Sequence, residues 1–290
     1  MKTDKEMMAN MVDPRSAAVL LIHGLTGTPN EMRFVARGLV NHGFKVHCVQ
    51  LAGHCGTEAD LLKTGWRDWF ASVEEAADNL LKEVDHLFVG GLSMGSVLSL
   101  KYAIEHPEKT AGLGLFGTTF FYDGWSIPHV AKLSFLLPIF DRLGIGRHKS
   151  FMEEFPYGLK NERLRKSVSE KMLSGDSEAA GLPGNPWPSL AEFYRLSRDV
   201  QSKLERVKAP ALVMHAREDD VASLRNAQMV ERRISAPVET VVLTESYHLI
   251  TLDQEKKTVV ARSADFFQRV LAERTRKASR MERYSIEDAA

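Results

Sequence analysis

Residues 86–107 read HLFVGGLSMGSVLSLKYAIEHP. The apolar run from His86 to Val89 predicts a buried strand, and Val97, Leu98, Leu100, Tyr102 and Ile104 then recur at helical spacing. Between them, Gly91-Leu92-Ser93-Met94-Gly95 forms G-x-S-x-G, and strand, G-x-S-x-G, helix is the pattern of a nucleophile elbow. Such a turn holds its serine on strained backbone and pushes the hydroxyl out at the sheet edge. Gly91 and Gly95 have to be small because strand and helix backbones pass close together there. The N–H of Met94, opening the helix, points to where a negative oxygen would form. With glycine near 7% of residues and serine taken as similar, the pattern arises by chance in roughly one chain in ten of this length. It therefore needs a base, an acid and an oxyanion loop elsewhere in the chain.

Upstream, Ala17 to Ile22 (AAVLLI) is continuously apolar, as expected of a parallel strand buried on both faces. It runs into His23-Gly24-Leu25-Thr26-Gly27-Thr28-Pro29, after which Met32, Phe34, Val35, Leu39 and Val40 mark a helix. Lys45 to Leu51 reads as the next strand and Trp66 to Val84 as a helix. Downstream, Ala111 to Thr118 is another buried strand. Residues 119–205 contain no clear strand but many aromatics and prolines. Strand and helix patterns resume with ALVMHA (211–216), a helix near Ser223 to Ile234, a strand at Val238 to Leu243, and a helix from about Gln254 to Leu271. Alternating strands and helices predict an α/β fold with a mostly parallel central sheet and helices on both faces. The expected organisation is a leader (1–15), a core in two pieces (16–118 and 206–272), an inserted helical cap (119–205) and a charged tail (273–290).

The chain has 290 residues, 44% apolar and 26% charged, with 38 basic and 38 acidic residues. That balance gives no reason to expect a nucleic-acid partner. The leader has no continuous apolar core of a signal peptide, and no run approaches the ~20 apolar residues of a membrane span. Two cysteines, Cys48 and Cys55, fit a reducing, cytoplasmic setting. With His47 and His54 they make H-C-x₅-H-C, which matches no zinc-ligand pattern, so neither metal nor cofactor is expected.

A serine hydroxyl needs a base, usually a histidine held by a carboxylate. Among ten histidines, His248 stands between the last strand and the last helix, at the carboxyl end of the sheet where open α/β folds place their sites. The acid lies in Arg217-Glu218-Asp219-Asp220, after the ALVMHA strand; spacing alone does not choose between the two aspartates. The other would serve as a helix-entry carboxylate near Ser223. The order Ser, Asp, His is that of the elbow fold. The second oxyanion donor is expected from HGLTGTP, with the N–H of Leu25 facing that of Met94, and His23 bracing the loop.

With these residues assembled, the chain resembles the α/β-hydrolase family, and within it the bacterial carboxylesterase and monoacylglycerol lipase group. HGLTGTP looks like that group's HGFTG-type oxyanion loop, LAGHCGTEADLLKTGWRDW its G-H-G…TG…DW segment, and GLSMG its elbow. AREDDVA and SYHLITLDQEK are similar to its acid and base segments. The resemblance implies Ser93 as nucleophile, His248 as base, Leu25 and Met94 as oxyanion donors. It also chooses Asp219 as the acid, because the group's acid precedes one variable and one apolar residue, here Asp220-Val221. Asp253 matches an aspartate of the group just after the histidine, for which an N-cap of the last helix is a sufficient role. Cys55 departs from the pattern, standing where G-H-G has its second glycine.

Substrate preference rests with the insert. Residues 121–140 carry Phe121, Tyr122, Trp125, Ile127, Leu133, Phe135, Leu136, Leu137, Ile139 and Phe140, as an apolar lid over an acyl pocket would, or an amphipathic cap packing on its core. Candidate pocket residues are Phe121, Trp125, Leu133 and Leu136, with Phe116 and Thr118 as the floor. The expectation is a serine hydrolase acting on small-molecule esters of apolar acyl chains, with membrane contact only through the cap. A thioesterase or acyltransferase with the same triad is the alternative, with Arg142, Arg147, His148 and Lys149 as a basic mouth. A ligand-binding protein without catalysis is the remaining class.

Overall fold

The computed structural model describes residues 16–173 and 177–287; the expected leader, 1–15, lies outside them. Six parallel strands form one sheet in the order β2-β1-β3-β4-β7-β8: β1 (Ala17–Ile22), β2 (Lys45–Val49), β3 (His86–Leu92), β4 (Thr110–Phe116), β7 (Ala211–Ala216) and β8 (Val238–Leu243). The period-2 geometry of a strand splits each apolar run between two cores. Ala18, Leu20 and Ile22 of β1 face one layer, Ala17, Val19 and Leu21 the other. The first layer is covered by α3 (Trp66–Leu81), α4 (Met94–Glu105), α8 (Trp187–Gln201) and α9 (Arg225–Arg233). The second is closed by α1 (Arg33–Asn41) and α10 (Lys256–Glu287). Helix α4 buries every residue from Met94 to Ile104, as a helix sandwiched between a sheet and other helices must.

The insert departs from its expected lack of strands. After α5 (Leu137–Arg142), β5 (Ser150–Met152) pairs antiparallel with β6 (Gly184–Pro186), closing a loop that carries α6 (Glu162–Leu173) and α7 (Ser177–Ala180). Three-residue strands, one of them Gly-Asn-Pro, are too short to give a period-2 signal. Its last helix, α8, sends Phe193, Leu196 and Val200 into the core that also holds α4. In the β2–α3 connection, a single helical turn, α2 (Glu58–Leu61), follows Cys55. Cys55 adopts φ 67°, the left-handed conformation that favours glycine, so the departure from G-H-G keeps the glycine-like backbone. The final helix runs on to Glu287, well beyond Leu271. No helix among the described residues is long and apolar enough to cross a membrane.

Candidate active site

The elbow joins β3 to α4. Ser93 adopts φ 57° and ψ −117°, a conformation costly for a residue with a side chain. Neighbouring backbone holds it there: its N–H donates to Phe116 O at 2.9 Å. A Cβ on Gly91 would lie 2.8 Å from Ile22 O, and one on Gly95 2.6 Å from His23 O, so helix and strand meet backbone to backbone. The Ser93 hydroxyl donates to Thr119 Oγ1 at 3.1 Å, and Thr119 in turn donates to Gly117 O at 3.0 Å.

Two loops at the same sheet edge bring the other groups. His248, after β8, has Nδ1 at 3.0 and 2.9 Å from the two carboxylate oxygens of Asp219, after β7. A carboxylate only accepts, so Nδ1 carries the proton and Nε2 is left free to take one. Asp219 Oδ1 also accepts the N–H groups of Val221 and Ala222, and His215 Nε2 stands 3.3 Å from Oδ2. Burial opposes charge on both partners. Their attraction outweighs it, with Asp220 and Glu153 adding to the field at His248: the imidazole is raised from 6.5 to about 9 and the Asp219 carboxyl lowered.

Asp220 and Asp253 are structural, as expected, but each bonds other groups than the helix start expected for it. Asp220 is no helix-entry carboxylate: it accepts the N–H of His248 at 3.1 Å and of Gly158 at 3.0 Å, tying the base loop to the insert. The carboxylate bonding the first turn near α9 is Asp123, which accepts Ser223 N–H and Oγ–H. Asp253 does not use its side chain to cap α10. Its carboxylate accepts from Tyr247, Lys160 and Asn161 backbone N–H groups, again joining base loop to insert.

The loop after β1 lies against the elbow, since a Cβ on Gly24 would stand 3.5 Å from that of Ser93. His23 is fully buried, its Nε2 accepting Leu51 N–H at 3.3 Å and its Nδ1 bonding Gly24 O at 2.9 Å. Burial and His54 lower its pKa to about 3, so the ring stays neutral in this bracing position. Among the described residues, no turn or loop backbone hydrogen bond uses the N–H of Leu25 or Met94. His54 packs edge-on between His23 and Trp69, and its Nδ1 bonds Ala52 O.

A family model described as Hydrolase_4, serine aminopeptidase S33, matches residues 13–255. The chain belongs to this family of serine hydrolases. It is 32% identical over 250 residues to a thermostable monoacylglycerol lipase of Bacillus sp. (strain H-257), covering 86% of this chain and 89% of the relative. It is 25% identical over 255 residues to a carboxylesterase of Bacillus subtilis (strain 168), covering 87% and 93%. Among solved structures, one described under LipS and LipT, two metagenome-derived lipolytic enzymes, aligns with TM-score 0.73 and 27% identity over 88% of this chain and 94% of that one. The monoacylglycerol lipase of Paleococcus ferrophilus shares the fold at TM-score 0.72 and 16% identity, over 89% and 96%.

In this hydrolase Ser93 and His248 line a cavity of about 90 Å³ together with Leu25, Glu31, Glu153 and Tyr157. An adjoining cavity of about 270 Å³ shares Tyr122, Glu153, Asn185 and Val221 with it and is lined further by Ile127, Ala131, Phe151 and Leu190. None of the six pocket residues expected from sequence lines either cavity. Phe116 turns to the opposite sheet face, into the core with Phe267. Thr118 is buried against Ser96 Oγ at 2.7 Å beneath the elbow. Phe121 packs on the core, Trp125 donates to Glu218 O at the surface, Leu133 is exposed, and Leu136 is half-buried outside both cavities. Sequence reasoning missed Glu31, Thr119, Glu153 and Asn185. Thr119 follows the β4 strand directly and was within reach of position alone; Glu153 and Asn185 are brought in by β5 and β6, which had no signal.

Proposed function

We propose that this hydrolase cleaves carboxylic esters of apolar acyl chains through an acyl-enzyme on Ser93, releasing a compact polar alcohol of the glycerol type. The carrying observation is that Ser93 and His248 stand in a small cavity of mixed polar and apolar lining that shares a wall with a larger, more apolar chamber under the insert. Ser93 Oγ turns from Thr119 to the acyl carbonyl as His248 Nε2 takes its proton. Asp219 holds the ring and stabilises the imidazolium. The N–H groups of Leu25 and Met94 hold the oxyanion, worth ~3 kcal/mol per donor. The alcohol leaves with the proton from His248, and water repeats the sequence on the acyl-enzyme.

Glu153 and Asn185, bonded to each other at 2.5 Å, offer acceptors and a donor suited to alcohol hydroxyls. The relatives named as monoacylglycerol lipase and carboxylesterase support the same substrate class. Val130, Leu133, Ile139, Leu143 and Ile145 each leave more than half their surface exposed, which supports contact of the insert with lipid aggregates. Unpaired Cys48 and Cys55 support a cytoplasmic setting.

A fluorophosphonate probe should label the wild type and leave Ser93→Ala unlabelled; equal labelling of both rules out Ser93 as nucleophile. Across p-nitrophenyl esters, kcat/KM should peak above the shortest acyl chains. A maximum at acetate would mean that the larger chamber holds no acyl chain.

A further inference from the structure

The turn that presents Leu25 is strained and is wrapped around a carboxylate. Gly27 N–H donates to Gly24 O at 3.2 Å, closing a four-residue turn whose third residue, Thr26, takes φ 61°. That position favours glycine, and a β-branched residue there is held only by its surroundings. Leu182 N–H donates to Thr26 O at 3.0 Å from outside. From inside, Glu31, on the 3₁₀ turn Pro29–Met32, reaches back, and its Oε2 accepts Gly24 N–H at 2.8 Å. Gly27 leaves the space this needs: a Cβ there would lie 2.5 Å from Glu31 Oε2. The peptide carrying the Leu25 N–H is thus bounded by Gly24, held at its N–H by Glu31 and at its O by His23.

We propose that Glu31 is a positioning residue for ester hydrolysis, fixing through Gly24 the direction in which Leu25 presents its N–H to the oxyanion. The proposal rests on Leu25 being an oxyanion donor, as argued above. Glu31 lies outside the Ser–His–Asp set and makes no hydrogen bond to it; its oxygen acts on the reaction through backbone. The titratable groups facing it are His248 from the β8–α10 loop, Glu153 from the segment after β5, and Cys55 from the β2–α2 loop. Burial raises the Glu31 carboxyl from 4.5 to about 7, with Glu153 adding to the rise and Gly24 N–H and His248 opposing it. The stronger, ionised acceptor is therefore lost on the acid side of neutrality.

The test compares Glu31→Gln and Glu31→Leu in the full chain, measuring kcat and KM for p-nitrophenyl butyrate from pH 5.5 to 9.5, with thermal melts as a folding control. Gln keeps an acceptor for Gly24 N–H and Leu does not. Glu31→Leu should lose about 10- to 100-fold in kcat with KM changed less than about threefold, on the scale of a misdirected oxyanion donor. Glu31→Gln should recover most of the loss at pH 8.5 and lack the limb near pH 7. Wild-type kcat in Glu31→Leu overturns the proposal, as does a loss confined to KM, which would mark a direct substrate contact. Equal damage in both folded variants overturns it too, because charge at His248 would then be the cause. Should Glu31→Leu not fold, the near-isosteric Glu31→Gln decides by the presence or absence of its pH limb. Failure of the serine-hydrolase reading on which the Leu25 role depends looks different: Ser93→Ala would keep its activity.

Discussion

Asp219 and Asp220 follow β7 side by side, yet one carboxylate receives the imidazole of His248 and the other the backbone N–H groups of His248 and Gly158. Asp219→Asn should lower kcat by about 10³- to 10⁴-fold in a folded protein, because the amide no longer enforces the tautomer with a free Nε2. Asp220→Asn replaces an acceptor with a donor facing a buried N–H. It should cost about 1–3 kcal/mol of stability while leaving kcat within about tenfold. Urea unfolding and ester kinetics on both variants check the pair; reversed effects would move the acid by one residue. Spacing could not separate these neighbours, since which way each side chain points depends on the chain that covers the loop. The resemblance to related acid segments selected Asp219 where residue-level reasoning left the choice open.

At the scale of elements, β3, the elbow and α4 were legible because three separate requirements coincide in one stretch: a run buried on both faces, small residues at a backbone crossing, and helical periodicity. Gly95 tests the crossing. A Cβ there meets Ile22 and His23 carbonyls, backbone that cannot swing aside as a side chain would. Gly95→Ala should destabilise by about 3 kcal/mol or abolish soluble expression, with a denaturant midpoint as the readout; a wild-type midpoint would mean that β1 and α4 can move apart. The insert was legible only as an interruption. Trp125 and Leu133, expected among the pocket lining, are exposed instead, because apolar residues at the surface of a small cap have too little core to fill. Among the side chains that line the cavities, Glu31, Phe151, Glu153 and Asn185 are placed by the 3₁₀ turn after β1 and by β5 and β6, short elements whose periodicity is too brief to read.

Across the whole molecule, the aspartates after β7 and Glu153 after β5 create a field that holds a proton on His248. Burial resists the imidazolium, but Asp219, Asp220 and Glu153 raise the group to about 9. Only the neutral ring can take the serine proton, so kcat/KM of the free enzyme should rise from neutrality toward about pH 9. A histidine whose folded pKa exceeds its unfolded value of 6.5 contributes stability that is fully present below 6.5 and lost as pH rises through about 9. The melting temperature should therefore fall between pH 6.5 and 9.5, and fall less in His248→Gln. Parallel slopes in the two proteins would remove His248 as the source.

Composition, apolar periodicity and the elbow by themselves determined the doubly covered parallel sheet, the loops at its carboxyl edge and the candidate nucleophile, base and oxyanion donors. Each of those depends on local pattern or on strand order, which a chain carries in its residues. Tertiary structure alone decided what the carboxylates do: Asp220 and Asp253 as ties to the insert, and Glu31 bonded to Gly24 N–H in the turn that carries Leu25. It also decided which residues face the substrate space. Those roles depend on which distant backbone N–H a side chain meets, and that is set only when the insert closes over the sheet.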